Sequence, residues 1–280
     1  MSNMKTKTNS WHNFKSQIVA FFIRDLRIWL SYRLSLFLDL IGLLGTALAF
    51  FLLGLAFEGY IPPTLAQYGG YFPFVIIGIA FFGFQSVGLY GLSGTIRNEQ
   101  LQGTLEPMLA SRISPLTLSL AGNSFDFLRT LIRAGLFLVL GALVFSVDLS
   151  AMNIPVALAI LFLSLPSFLA LGMLSAGFTL AFKKGDPVNL VYGGLSVLIT
   201  GLYFPYELLP KPVQWLAMAF PLTHSLSGLR QALLNGAGFS QVLPQILWLA
   251  GMGIVLLPLG IVALRLGNRR ARKEGSLLQY

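Results

Sequence analysis

Asp39 is the one acidic residue set well inside an apolar run, between Leu36-Phe37-Leu38 and Leu40-Ile41. A charge at the centre of a bilayer costs about 2.5–3.5 kcal/mol on insertion scales, so an intramembrane acid is a candidate for contact with an ion, proton or substrate. Asp39 follows Arg33 by six positions, near one end of its run, where water can reach it. A structural contact to a neighbouring helix is therefore the first reading and a substrate or proton role the second. Asp126 has Arg129 one turn on, the spacing of an interfacial ion pair. The chain has two histidines and no cysteine, which excludes disulfides, thiolate metal sites and cysteine nucleophiles. His224 stands alone in its segment, a poor start for a metal site. There is no Gly-x-x-x-x-Gly-Lys-Ser/Thr run to cradle a nucleotide phosphate, no His-Glu-x-x-His and no Gly-x-Ser-x-Gly. An enzyme of the membrane would gather polar groups at one depth, and this sequence does not.

One polar segment has more structure than a linker needs. From Arg97 to Pro115, Leu101, Leu105, Met108 and Leu109 recur at helical spacing, with Glu99, Gln102 and Glu106 between them. That pattern predicts a short amphipathic helix ended near Ser114-Pro115, with a solvated loop as the plain alternative.

The elements that position these residues are apolar runs. Six are read as membrane helices: 36–57, 74–95, 131–147, 154–182, 188–204 and 243–266. About 20 residues at about 1.5 Å each cross the hydrocarbon core. When alternate gaps and their flanks are assigned to one side, every basic residue falls there except Lys211 and Arg230. Lys and Arg stay cytoplasmic in short loops, so both termini are expected in the cytosol, in a cell (inner/plasma) membrane. With 55% hydrophobic and 10% charged residues in 280, the chain cannot be an ordinary soluble domain. The net charge of +9 is spread over separate loops with no continuous basic face, which argues against nucleic acid and for the lipid bilayer. Residues 1–280 read as a single all-α membrane domain.

Residues 11–33 are too charged to span. Trp11, Phe14, Ile18, Phe21, Phe22 and Trp29 share one side of a helical wheel, which predicts an N-terminal amphipathic helix in the interfacial plane. A simple lead-in to the first span is the alternative. Glycines such as Gly42, Gly78, Gly88, Gly193 and Gly194 allow close helix approach, and those in the second and fifth spans also suit a surface that rearranges. Pro166 and Pro258 lie inside spans and predict kinks. From Phe204 to Leu234, apolar pieces too short to cross are separated by Pro205, Pro210, Pro212 and Pro221, the pattern of an extracytoplasmic re-entrant hairpin.

Glu99-x-x-x-Gly103-Thr104-Leu105-Glu106-x-Met108-Leu109-x-Ser111-x-Ile113-Ser114 resembles the second-span signature of ABC-2 type ABC transporter permeases, of the type V exporter kind. The commoner Glu-Arg-Glu-x-Gly-Thr-Leu-Glu is altered here at Asn98-Glu99-Gln100-Leu101-Gln102-Gly103. Tyr203-Phe204-Pro205-Tyr206-Glu207-Leu208-Leu209-Pro210, Pro221-Leu222-Thr223-His224 and Gly228-Leu229-Arg230-Gln231 resemble that family's fifth-to-sixth hairpin. The resemblance implies a non-catalytic permease subunit that pairs with a second permease copy or paralogue. It also implies two cytosolic ABC ATPase subunits, which would hold ATP and Mg; no cofactor is expected on this chain. The helix carrying Glu99, Gln100, Gly103, Thr104 and Glu106 would dock on the ATPase. Asp39, Gly88, Gly193, Phe204, Pro205 and Glu207 would belong to the translocation path or its gate. Export of an amphipathic or lipid-linked substrate or drug is the function so implied. An ion-coupled secondary transporter is the alternative, and a membrane enzyme acting on lipid comes third.

Overall fold

The computed structural model describes residues 19–56, 62–101, 115–182, 186 and 188–273. Among them every regular element is helical. Residues 19–31 form α1. It is followed by α2 (Arg33–Ala56), the single turn α3 (Pro63–Ala66), α4 (Tyr71–Leu101), α5 (Pro115–Phe145) and α6 (Ile154–Phe182). A π-helical turn, Asn189–Gly193, runs into α7 (Gly194–Ile199). A 3-10 turn at Tyr206–Leu208 leads to α8 (Lys211–Met218), α9 (Pro221–Leu234) and α10 (Leu243–Lys273). Among the described residues five helices, α2, α4, α5, α6 and α10, are long and apolar enough to cross a membrane.

The predicted span 154–182 coincides with α6, and 36–57 lies within a few residues of α2. Three helices outrun their predicted spans: α4, α5 and α10 have 31 residues each, about 46 Å of helix. Hydropathy marks where lipid begins, but backbone hydrogen bonding continues past that boundary, so Arg129 and Arg97 sit on the same rods as the apolar residues. Pro166 and Pro258 both lie inside continuous helices.

The predicted fifth span, 188–204, differs. Its helical part is Asn189–Ile199, about 16 Å long and too short to cross alone. The helix stops because Thr200 leaves helical geometry and Gly201 takes φ +84°, a left-handed conformation that favours glycine. Leu202 then continues buried and non-helical. Such backbone is tolerated at membrane depth only inside protein, and protein surrounds it here.

At the centre lies α6, packed along its length on α10 and flanked by α4 and α9. Small residues set these distances: a Cβ on Gly260 would lie 2.6 Å from the Ala170 carbonyl oxygen, so the α6 and α10 backbones touch. By contrast α2 is peripheral, with Leu43 and Ala47 as its buried residues. Its far end is anchored by Phe51, whose ring sits 5.4 Å from Phe72 and 5.0 Å from Phe145. On α1, Phe22 and Trp29 both meet Phe125 edge-on, at 5.6 and 5.8 Å. Part of the expected interfacial stripe therefore covers protein. Trp11, Phe14 and Ile18, on the same stripe, lie outside the described residues.

Candidate translocation and coupling site

The helix bundle has two chemically distinct ends. One, the basic end, carries Arg33, Arg97, Arg129, Arg265 and Arg269; the other, the hairpin end, carries α3, α8 and the C-terminus of α9. A polar cluster near the basic end joins three elements. Asp186 accepts hydrogen bonds from the Asn189 backbone N–H (3.1 Å) and from its Nδ2 (2.6 Å), and also from Ser175 Oγ of α6. Asn189 Nδ2 donates as well to Ser93 Oγ of α4 at 3.0 Å. Asp186 thus satisfies the Asn189 backbone N–H at the start of the π-turn, a group that would otherwise lack a partner there. One step further in, Tyr90 Oη donates to the Asn189 carbonyl at 3.4 Å, and Gly193 lies directly against that hydroxyl. Gln85 Nε2 donates to Ser196 Oγ at 2.7 Å, tying α4 to α7 again inside the bundle.

Gly88 is a packing residue between α4 and α6. A Cβ there would meet Phe168 Cβ at 2.6 Å, and Gly172 abuts the Gly88 carbonyl. The predicted path residues Gly88 and Gly193 therefore share the seam between α4, α6 and α7: Gly88 of α4 lies against α6, and Gly193 of the π-turn lies against Tyr90 of α4.

At the hairpin end, α8 descends and α9 returns antiparallel to α6: Gly228 lies on Ile160, Ser164 Oγ donates to Ser225 Oγ at 2.9 Å, and the Asn153 N–H donates to the Ala232 carbonyl at 2.9 Å. Ser164 is ten residues into α6, so the α8–α9 turn reaches about 15 Å in from that end. Side chains close the bend. Gln214 Nε2 donates to the carbonyls of Glu207 (2.7 Å) and Leu209 (2.8 Å), and Thr223 Oγ1 donates to the Ala217 carbonyl at 2.6 Å. Phe220 at the bend stacks on Tyr192 at 4.6 Å, and His224 stacks on Trp248 at 5.2 Å.

Arg230 ties this hairpin to the rest. It is 3% exposed, and its Nε donates to the Phe74 carbonyl (3.0 Å) and Nη2 to the Leu202 carbonyl (3.2 Å). Its guanidinium carbon lies 3.4 Å from the centre of the Phe74 ring. One side chain of α9 thereby holds the first turns of α4 and the irregular strand of chain after α7. Phe204, Pro205 and Glu207 follow that irregular segment: Pro205 is buried, Phe204 and Glu207 are exposed, and Glu207 shares a small cavity with Arg230, Tyr68 and Tyr206. Burial pushes the Tyr68 and Tyr206 hydroxyls up, so both stay neutral donors beside Glu207.

Asp39 is exposed and lies apart from these groups, facing a cleft between α2 and α5 shared with Arg129 and Arg133. The expected Asp126–Arg129 pair is present at 3.2 Å. Of the residues expected to dock on an ATPase, Glu99 and Gln100 fall in the last turn of α4, while Gly103, Thr104 and Glu106 lie outside the described residues. Sequence reasoning missed two features. Arg230 was countable as a lone cation in an apolar stretch with no acid in helical reach, and Asp186-Pro187 before an apolar run carries the mark of a capped helix start.

The family model described as ABC-2 family transporter protein matches residues 60–262, well over half of the chain. It takes in α4 to α9, residues 102–114 and most of α10. No match is found among curated proteins.

Proposed function

Because this chain belongs to the ABC-2 transporter family, whose multi-pass membrane subunits usually work with ABC ATPases, we propose that it is the permease of an ATP-driven exporter. Two copies, or one copy and a paralogue, would pair in the membrane above two ATPase subunits that hold ATP and Mg. The basic end would face the cytosol, with both termini there, as the positive-inside bias directs. An amphipathic or lipid-linked molecule would leave between the subunits.

The observation that carries this reading is the continuity of α4. One unbroken helix leads at its basic end into the 102–114 segment and is held at its other end by Arg230 of the hairpin. Between those points it is fixed to α6 through Gly88, to α7 through Gln85, and to the π-turn before α7 through Tyr90 and Ser93. A push on the coupling segment would travel along a rod about 46 Å long to the opposite end of the bundle. Packed cores have discrete arrangements, so small displacements at one end can switch contacts at the other. Asp186 and Arg230 would hold the two ends of the broken fifth element, with the irregular stretch after Gly201 between them as the joint. The hairpin from Phe204 to Leu234 would close the outer side and shift when the subunits separate.

Reversing the coupling charges tests this. The double variant Glu99→Lys, Glu106→Lys should insert normally yet lose substrate-stimulated ATP hydrolysis and transport. Unchanged transport together with unchanged yield of the ATPase complex would deny 99–111 a coupling role.

A further inference from the structure

The cleft between α2 and α5 near the basic end holds charges of both signs that do not neutralise each other. Asp39 enters from α2; Arg129 and Arg133 enter from α5. Among the described residues Asp39 and Arg133 have neither an ion-pair nor a hydrogen-bond partner, and Arg129 is paired only with Asp126. Arg133 precedes the end of α5 at Phe145 by twelve residues, about 18 Å, which places its backbone within a hydrocarbon core of about 30 Å. Asp39 precedes the end of α2 by seventeen residues, about 25 Å. The difference is within the reach of an arginine side chain that snorkels toward the basic end.

Acid and base this close to lipid would ordinarily collapse into an ion pair. Here the helices stand apart. The Phe51–Phe72–Phe145 cluster fastens α2 at the hairpin end, while toward the basic end Gly42 and Gly45 have nothing within 4 Å of where a Cβ would be. Behind the charges the cleft continues as a mostly apolar groove between α2, α4 and α5, with Thr46, Ser86 and Thr130 on its walls, sharing Leu43, Arg129 and Arg133 with it.

We propose that this cleft binds one aminophospholipid of the phosphoethanolamine class, drawn from the leaflet at the basic end. Its phosphate sits between Arg129 and Arg133, its ammonium on Asp39, and an acyl chain in the groove. Of the common headgroups this one answers all three side chains. A glycerol headgroup offers Asp39 neutral hydroxyls but no cation to balance the carboxylate, and a choline has no N–H to donate to it. Basic clefts between membrane helices are established in general as headgroup sites. The acid is what narrows the class. The site is separate from the α4–α6–α7 seam and does not depend on the ATP-driven cycle.

The full chain, purified in a neutral detergent, is titrated with phosphatidylethanolamine, phosphatidylglycerol and phosphatidylcholine of identical acyl chains, and retained lipid is read by native mass spectrometry. The unaltered chain should retain the ethanolamine lipid about fivefold over each of the others. Arg133→Gln should lower that retention about fivefold, Arg133→Lys should preserve it, and Asp39→Asn should erase the preference over phosphatidylglycerol. Equal retention of all three lipids by the unaltered chain overturns the proposal and needs no variant to fold. So does unchanged retention in Arg133→Gln. Conversion of a dimer to monomers by Asp39→Asn, with lipid retention unaltered, makes the cleft a contact between two copies instead and equally overturns it.

Discussion

Adding one methyl group to α4 at two positions six residues apart should move stability in opposite directions. At Gly88 a Cβ would lie 2.6 Å from Phe168 Cβ and 2.9 Å from the Phe168 carbonyl carbon, and the second of these is backbone that cannot rotate away. Restoring ordinary carbon contact near 3.5–4.0 Å requires α4 and α6 to part by about 1 Å at this crossing. Overpacking of that size costs typically 1–3 kcal/mol, and a gap of 0.5–1 Å forfeits a quarter to a half of each neighbouring contact. Replacing a helical glycine returns about 1 kcal/mol in propensity, so Gly88→Ala should be destabilising by about 1–2 kcal/mol. At Gly94 nothing lies within 4 Å of the added carbon, and only the propensity gain remains. In thermal unfolding of the detergent-purified chain, followed by tryptophan fluorescence, Gly88→Ala should melt about 2–8 °C lower and Gly94→Ala about 2–4 °C higher. The comparison cancels helix propensity, because both residues belong to α4. A rise in Tm for both variants would mean that α4 and α6 do not touch at backbone distance, and the rod-like coupling built on that contact would fail with it.

Arg230→Met leaves the Leu202 carbonyl without its donor, a loss of about 1–3 kcal/mol, and removes a ring contact worth about 2 kcal/mol. Relief of a buried charge offsets part of this, so the expected signal is local opening: a cysteine at Thr200, 1% exposed, should become reactive to a thiol reagent in the Met background but stay protected in the parent. Equal protection in both would deny Arg230 a latching role. Orientation is checked by Gln102→Cys, read cleanly because the chain has no native cysteine; it should react only from the cytosolic side, and labelling from outside intact cells would reverse the topology. Cysteines at Ile199 and Leu209, which belong to one apolar cluster with Phe220, should block transport when crosslinked while ATPase docking persists. Full transport by a verified crosslinked complex would make the hairpin a static cap.

Several features could be read from residue order alone because their physics is local or additive. Insertion into lipid sums apolar transfer over about 20 residues, so the runs around Ile154–Phe182 and Leu36–Phe57 announce membrane helices without knowledge of any neighbour. The pairing of Asp126 with Arg129 needs only helical spacing, and the motif from Glu99 to Ser114 needs only its own order to point to the family that the match over 60–262 supports. What the tertiary structure alone decided involves partners far apart in sequence. Residues 188–204 are apolar enough to read as a span, and hydropathy does not distinguish burial in lipid from burial in protein. The chain breaks at Gly201 because α4 and α9 enclose it and Arg230 supplies the donor that its Leu202 carbonyl would otherwise lack. Arg230 itself, counted in the sequence as a loop charge, is buried because a carbonyl 156 residues away and the Phe74 ring receive it. Gly88 and Gly193 carry the same letter and the same propensity, yet one holds α4 against α6 and the other admits Tyr90 beneath α7, since what a glycine permits depends on which surface comes to meet it.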